Sequence, residues 1–280
     1  MPANRFAIVR APTESFLHAL GQRPDAPPID LAQALVQHRH YCDALARDRI
    51  CVVHLPTDDR LPDACFVEDT AVVLGDSALV AHLGATSRRD EVRAVGGALA
   101  ELGLSVQYMG PPATLDGGDV LRVGRVVFIG RSARTNDDGA QTALDFARMR
   151  GYHAEIVQVS DTSLHLKSRV SALDDATILA APGVMVEQAE RHGLRRIEVP
   201  DDEVLATNVV ALRGRVLMPS GFSGTAERIA AAGFIVEALE ASEFALADGG
   251  LTCLSLRIEP TSRRTRTAIR PRPVILPQAL

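Results

Sequence analysis

Residues Gly250-Leu-Thr-Cys-Leu-Ser-Leu-Arg-Ile258 read as the opening strand of a structural unit that the chain never completes. Apolar side chains are dense enough there for a buried strand. Residues 260–280, which follow, hold five arginines and four prolines and show no apolar periodicity. The missing pieces stand at the other end of the chain. Phe6-Ala-Ile-Val9 is a strand, Asp30 caps a helix running to about Arg47, and Ile50-Cys-Val-Val-His54 is a closing strand. Joined to Gly250–Ile258, they make one unit out of two ends.

The complete unit occurs four times in between, at a period of about 45 residues: strand, tight turn, second strand, helix, short third strand. The first copy runs Cys65 to Val73, turns at Gly75-Asp76, continues Ser77 to His82, then has a helix from about Arg89 to Leu102 and a strand Leu104–Tyr108. The second opens on Leu115-Asp-Gly-Gly-Asp-Val-Leu121, turns at Gly124-Arg125, and continues through Val126–Gly130, a helix from about Asp138 to Arg150, and His153–Val157. The third leads from Ser163-Leu-His-Leu-Lys-Ser168 through Asp174-Asp175 to Ala176–Leu179, a helix near Met185 to His192, and Arg196–Val199. In the fourth, Leu205–Val210 turns at Arg213-Gly214 into Arg215–Met218, and Thr225 caps a helix ending near Gly233. The fold class is therefore α/β: five ββαβ repeats with pseudo-fivefold symmetry, the ring closed by pairing of the N- and C-terminal segments. Closure removes the open edges that a repeat array must otherwise protect. Residues 1–259 form a single domain, and 260–280 read as a disordered basic tail.

A net charge of -5 and a pI near 5.9 argue against a nucleic-acid or membrane-surface partner and favour a small molecule. No apolar run approaches the roughly 20 residues of a membrane span, and Met1 to Phe6 lack a basic region followed by an apolar stretch, so the expected location is the cytoplasm. The oligomeric state is left at monomer or homodimer. Four cysteines are scattered with no zinc-ribbon spacing. Cys42, Cys51 and Cys65 read as small buried hydrophobes, whereas Cys253 sits beside polar residues of a repeat.

Asp and Gly are ordinary turn residues, so Asp116 and Asp119 alone say little. Their weight comes from recurrence: the equivalent place in each unit carries Glu68 and Asp69, Asp116 and Asp119, His165 and Lys167, Asn208, and Cys253. In a closed ring these ends point to one axis, where each polar group costs desolvation unless paired. Cys253, His165 and Asp116 are the residue types of an activated thiol, its base and the carboxylate that orients the base. Glu68 and Asp69, with Asp63 just upstream, suit a planar guanidinium, whose donors form a fixed fork. Two other readings stay open on the residues alone: His165 as a core histidine, and zinc bound by His165, Cys253 and Asp116.

Phe66-Val-Glu-Asp, Leu115-Asp-Gly-Gly-Asp-Val-Leu, Leu164-His-Leu-Lys-Ser, Val199-Pro-Asp-Asp and Gly250-Leu-Thr-Cys together resemble the dimethylarginine dimethylaminohydrolase family of the guanidino-modifying superfamily, in the family's order, over about residues 5–258. The resemblance implies the five-bladed α/β-propeller of the penteins. It also implies hydrolysis of N-methylated arginine to citrulline and an alkylamine through a covalent S-alkylthiouronium, with no metal or organic cofactor. Cys253 would be the nucleophile, His165 the general acid and base, and Asp116 its orienting carboxylate. Asp63, Glu68 and Asp69 would hold the guanidinium, Arg88 and Arg134 the substrate carboxylate, and backbone carbonyls near Phe16 and Ala247 the α-amine. On its own composition, the polar, proline-rich segment from Pro12 to Pro28 reads as a lid or as an inert surface loop. Arginine deiminases share part of this pattern but typically carry His-x-Asp and Thr-Arg-Asp, where this chain has His165-Leu166-Lys167 and Val67-Glu68-Asp69. The alternatives are an arginine deiminase-like or other substituted-guanidine hydrolase, and a non-catalytic pentein scaffold.

Overall fold

Alternation of apolar and polar residues around tight glycine turns produces hairpins, and each hairpin then recruits a third strand through a helix. In the computed structural model, which describes residues 5–21 and 26–259, the elements run in chain order. They are β1 (Arg5–Val9), α1 (Leu31–Arg47) and β2 (Ile50–His54), then β3 (Ala71–Leu74), β4 (Ser77–Val80), α2 (Val92–Glu101) and β5 (Ser105–Tyr108). Next come β6 (Val120–Val123), β7 (Val126–Arg131), α3 (Asp137–Met149) and β8 (His153–Gln158), followed by β9 (Val170–Ala172), β10 (Thr177–Ala180), α4 (Val186–His192) and β11 (Arg195–Glu198). The last group is β12 (Val210–Leu212), β13 (Arg215–Pro219), α5 (Ser223–Ala231), β14 (Ile235–Leu239), α6 (Ser242–Ala245) and β15 (Leu256–Ile258). They form five sheets of three strands, and in each the middle strand pairs antiparallel with one neighbour and parallel with the other.

The two chain ends meet as the broken unit requires. β15 pairs antiparallel with β1 (Phe6 opposite Ile258, Ile8 opposite Leu256), and β2 runs parallel on β1's other side. Asp30 caps α1 by accepting from the Gln33 amide at 3.1 Å. Five apolar clusters hold the ring, several of them wedged between neighbouring units: Ile8, Leu256 and Ile258 pack with Val67, Ala78, Val95 and Leu99, and Leu173 and Leu179 with Val209, Val216 and Ile229. Each fully buried Leu or Ile of this kind stabilises by about 1.5–3 kcal/mol. The units therefore hold one another rather than standing alone.

Three sequence expectations need correction. The polar motif of each repeat lies just before the strand in a 3-10 turn, as at Val67–Thr70, Gly117–Asp119, Leu166–Ser168, Asp201–Thr207 and Thr252–Leu254. A strand would send alternate side chains to opposite faces, whereas a turn brings several toward the axis. α5 starts two residues before Thr225, because the Glu203 carboxylate accepts from the amides of Gly224 and Thr225 and so caps the helix. Cys51 is exposed, on the solvent side of the sheet-edge strand β2, while Cys42 and Cys65 are buried. The Pro12–Pro28 segment packs against the body where described: Phe16 is buried in the core and the Leu20 amide donates to Asp63. Residues 22–25 of that segment, and the 260–280 tail, lie outside the described residues. Among the described residues no helix is long and apolar enough to cross a membrane.

Candidate active site

The five turns meet around the axis. Val67–Thr70 touches Gly117–Asp119 and Thr252–Leu254, Gly117–Asp119 touches Leu166–Ser168, and Leu166–Ser168 touches Asp201–Thr207. At their centre His165 is buried, its Nε2 3.1 Å from Asp116 Oδ2 and its Nδ1 3.8 Å from Asp69 Oδ1. Asp116 is itself fixed, since Oδ1 accepts from the Gly84 amide at 2.9 Å. Asp119 is engaged differently. It accepts from Ser132 Oγ, Thr135 Oγ1 and the Leu166 amide, and so pins the turn that carries His165.

Asp69 accepts from Arg88 Nη1 at 2.7 Å and from the Gly118 amide at 3.1 Å. Arg88 in turn donates through Nε and Nη2 to Glu91, and through Nη2 to the Phe66 carbonyl at 3.1 Å. On the far side Arg134 Nη1 lies 3.7 Å from Asp116 Oδ2 and is buried without a hydrogen-bond partner among the described residues. Opposite charges alternate along this line, from Glu91 through Arg88, Asp69, His165 and Asp116 to Arg134.

The electrostatic consequences follow from burial and neighbours. Burial disfavours the imidazolium of His165, but Asp69, the Asp116 hydrogen bond and Asp119 outweigh it and raise the pKa to about 9. Burial works against the Asp69 carboxylate, yet His165 and Arg88 hold it at about 2. Burial raises Asp63, against the pull of Arg88 and the Leu20 amide. Cys253 Sγ accepts from the Gly250 amide at 3.4 Å, and burial together with the charges of Glu68 and Asp69 pushes the thiol up to about 12. Among the described residues no hydrogen bond joins Cys253 to His165.

Glu68 closes the bottom of the site. Its two oxygens accept from Lys167 Nζ at 2.8 Å and Thr252 Oγ1 at 2.6 Å, and Asn208 ties Thr252 to the Lys167 carbonyl. Beneath this polar floor a channel of about 730 Å³ runs between the first strands of the units, lined by residues such as Arg122, Lys167 and Arg257. A second cavity, of about 420 Å³, lies beside Gly250, with Leu164, Asn208 and Phe222 in its walls.

The structure thus brings Asp69, Asp116, His165, Arg88 and Arg134 into one array, with Asp63 hydrogen-bonded to the adjoining Leu20 amide. Glu68 and Arg88 are already occupied by partners from the chain itself. The Phe16 ring packs on Phe66 and Phe244 with centroids 5.8 and 5.5 Å away, and its carbonyl accepts from the Ala19 amide. Ala247 meets the same segment at Gly21, where an added Cβ would lie 2.4 Å from the Ala247 oxygen. Two residues escaped the sequence reading. Glu91 is one, though its spacing of three from Arg88 was a usable signal. Gly118 looked like half of a turn, but a Cβ there would sit 2.7 Å from His165 Nδ1.

A ring of five ββαβ units with a cysteine, a histidine and paired carboxylates at its axis defines a five-bladed α/β-propeller of the pentein type. Residues 11–215 match the family model described as "N,N dimethylarginine dimethylhydrolase, eukaryotic". The chain is 35% identical to the N(G),N(G)-dimethylarginine dimethylaminohydrolase of Pseudomonas aeruginosa over 251 residues, 89% of this chain and 98% of that protein. It is 36% identical to the Streptomyces coelicolor enzyme of the same name, over 92% of this chain and 98% of that one. A solved structure of a cysteine-to-serine mutant of the Pseudomonas enzyme, complexed with citrulline, superimposes with a TM-score of 0.85 at 33% identity, covering 92% of this chain and 100% of that chain. The chain belongs to the dimethylarginine dimethylaminohydrolase family.

Proposed function

We propose that the protein hydrolyses N-methylated arginine, asymmetric dimethylarginine or monomethylarginine, to citrulline and an alkylamine. The observation that carries this reading is the buried imidazole of His165, bonded to Asp116 through one nitrogen and facing Asp69 with the other, on the axis that also holds Cys253. A substrate guanidinium paired with Asp69 then lies against the free edge of His165.

In the free protein burial, and after it the charges of Glu68 and Asp69, disfavour a thiolate at Cys253. The arriving guanidinium offsets that negative charge, which lowers the thiol pKa and lets its proton leave to solvent. The thiolate adds to the guanidinium carbon, forming the C–S bond. His165, already an imidazolium below about pH 9, gives its proton to the departing amine as the C–N bond breaks. An S-alkylthiouronium remains on Cys253. Neutral His165 takes one proton from water as its oxygen attacks the same carbon, and breakage of the C–S bond, with the remaining hydroxyl proton passing to solvent, returns citrulline and the thiolate.

Arg134, with its unpartnered Nη1, and the remaining N–H of Arg88 Nη1 face the substrate carboxylate, Asp63 and the carbonyls near Phe16 and Ala247 its α-amine, and Glu68 bounds the guanidinium from below. The partner is a small guanidino amino acid, met in the cytoplasm, and residues 1–259 are the catalytic unit. The test is citrulline release from asymmetric dimethylarginine, monomethylarginine and arginine side by side, with Cys253→Ser as control and a chain ending at residue 259 alongside. Citrulline from the methylated substrates, lost in the control and kept in the shortened chain, is expected. Citrulline from arginine alone means a deiminase, and none from any of the three overturns the reading.

A further inference from the structure

Glu91 lies outside the ring of turns around the axis, at the end of the 3-10 turn Thr86–Glu91, yet it is 1% exposed. A carboxylate buried so fully is costly unless its oxygens are matched. They are matched by one side chain: Oε1 accepts from Arg88 Nε at 3.0 Å, and Oε2 from Nε at 3.2 Å and Nη2 at 2.9 Å. That is a two-point grip on one edge of a planar fork. Carbonyl oxygens of Phe66 and Asp63 take the rest of Nη2. With that edge held, Nη1 is left to point at Asp69, which it meets at 2.7 Å.

The grip has a use at the reacting centre. Asp69 faces His165 Nδ1, so where the Asp69 oxygens stand, and how much of their charge Arg88 cancels, decides the field at the imidazole. We infer that Glu91 is a positioning residue: by gripping Arg88 on its Nε–Nη2 edge it fixes Asp69 for the substrate guanidinium and keeps the charge state of His165 high. This rests on the function proposed above for Asp69 and His165. Besides Arg88, the charged or titratable groups that face Glu91 are Arg10, whose Nε and Nη1 are buried without partners among the described residues, together with Asp63, Asp69 and Cys65.

Burial raises the Glu91 carboxyl to about 7 against the pull of Arg88, so it is ionised where His165 titrates, near 9; removing that negative charge leaves Arg88 free to neutralise Asp69 more completely, and both changes disfavour the imidazolium. Glu91→Gln should therefore lower the His165 pKa by on the order of one unit, about tenfold in its protonation constant. It should also lower kcat/KM by roughly tenfold, the scale of one hydrogen bond to a charged group. The loss should appear on dimethylarginine and also on its decarboxylated analogue, dimethylagmatine, because the effect acts through Asp69, which both substrates meet, whereas the contact of Arg88 with the substrate carboxylate touches only the first.

The experiment is an NMR titration of histidine-labelled full-length protein, wild type and Glu91→Gln, beside kinetics on the two substrates. Glu91→Asp serves as a second variant that keeps the charge on a shorter reach, and it carries the test if the Gln variant does not fold. A lowered His165 pKa in Glu91→Gln, recovered at least half-way in Glu91→Asp, with kcat/KM lowered on both substrates, is expected. If only Glu91→Asp folds, a smaller loss present on both substrates is expected. An unchanged His165 pKa in Glu91→Gln, or in any folded variant a loss confined to dimethylarginine, overturns the inference. Absence of citrulline from the wild type overturns the proposed function instead, and the titration then still decides whether Glu91 sets the state of His165.

Discussion

Gly118→Ala inserts a single methyl group where His165 and Asp69 approach each other. The new Cβ would lie 2.7 Å from His165 Nδ1, 2.8 Å from Asp69 Oδ1 and 2.9 Å from His165 Cγ, against an ordinary contact beginning at 3.4 Å. The ring must therefore retreat by about 0.7 Å, the difference between 3.4 and 2.7. It has little room to do so, being bonded to Asp116 on one side and carried on a turn pinned by Asp119. Misplacement of a reacting group by about 1 Å costs about 10²-fold in rate, so kcat/KM for dimethylarginine should fall about 10²-fold. Overpacking of this kind costs about 1–3 kcal/mol of stability, a fall in Tm of a few degrees for each kcal/mol at this chain length, so the variant should still fold. Citrulline release and a thermal melt measure both. Gly97→Ala is the control, because a Cβ there meets nothing within 4 Å and the position is in α2, where alanine is the better helix former. A folded Gly118→Ala protein with kcat/KM within about threefold of wild type would refute the placement of His165 against Asp69 as the reacting geometry.

Three further outcomes follow from the same geometry. His165 has a folded pKa of about 9, above its unfolded value near 6.5, so its contribution to stability is complete below pH 6.5 and lost as pH rises through 9. Urea unfolding at pH 6 and pH 9.5 should show a larger fall for wild type than for His165→Asn, and equal falls would contradict the assignment. Iodoacetamide at pH 7.5 should label exposed Cys51 first and Cys253 slowly, since burial and two carboxylates hold the Cys253 thiol near 12. Arginine at saturating concentration should change the Cys253 rate but not that of Cys51, as followed by peptide mass spectrometry. Thr252→Val removes the hydroxyl that donates to Glu68 at 2.6 Å and leaves a buried carboxylate oxygen unmatched. That costs about 1–3 kcal/mol, read as a lower urea midpoint with an unchanged m-value.

Much of this protein is legible along the chain because the ring is built from local units. The hairpin at Gly124-Arg125, the cap at Asp30 and the four helices near residues 92, 137, 186 and 223 each depend on near neighbours, and the repeat made the broken fifth unit visible at Gly250–Ile258. Residue chemistry at equivalent places in the repeats then pointed to Cys253, His165 and Asp116. The tertiary structure decided how those groups are occupied. Arg88 grips Asp69 and Glu91, Glu68 is matched by Lys167 and Thr252, and Asp119 serves the turn rather than the reaction. Apart from Arg88 and Glu91, which stand three residues apart, none of these pairings is fixed by spacing, because partners 19 to 184 residues apart meet only when five units close around one axis. Charge states belong to the same category: a histidine raised to about 9 and a thiol raised to about 12 are properties of burial and neighbouring carboxylates, which exist only in the closed ring.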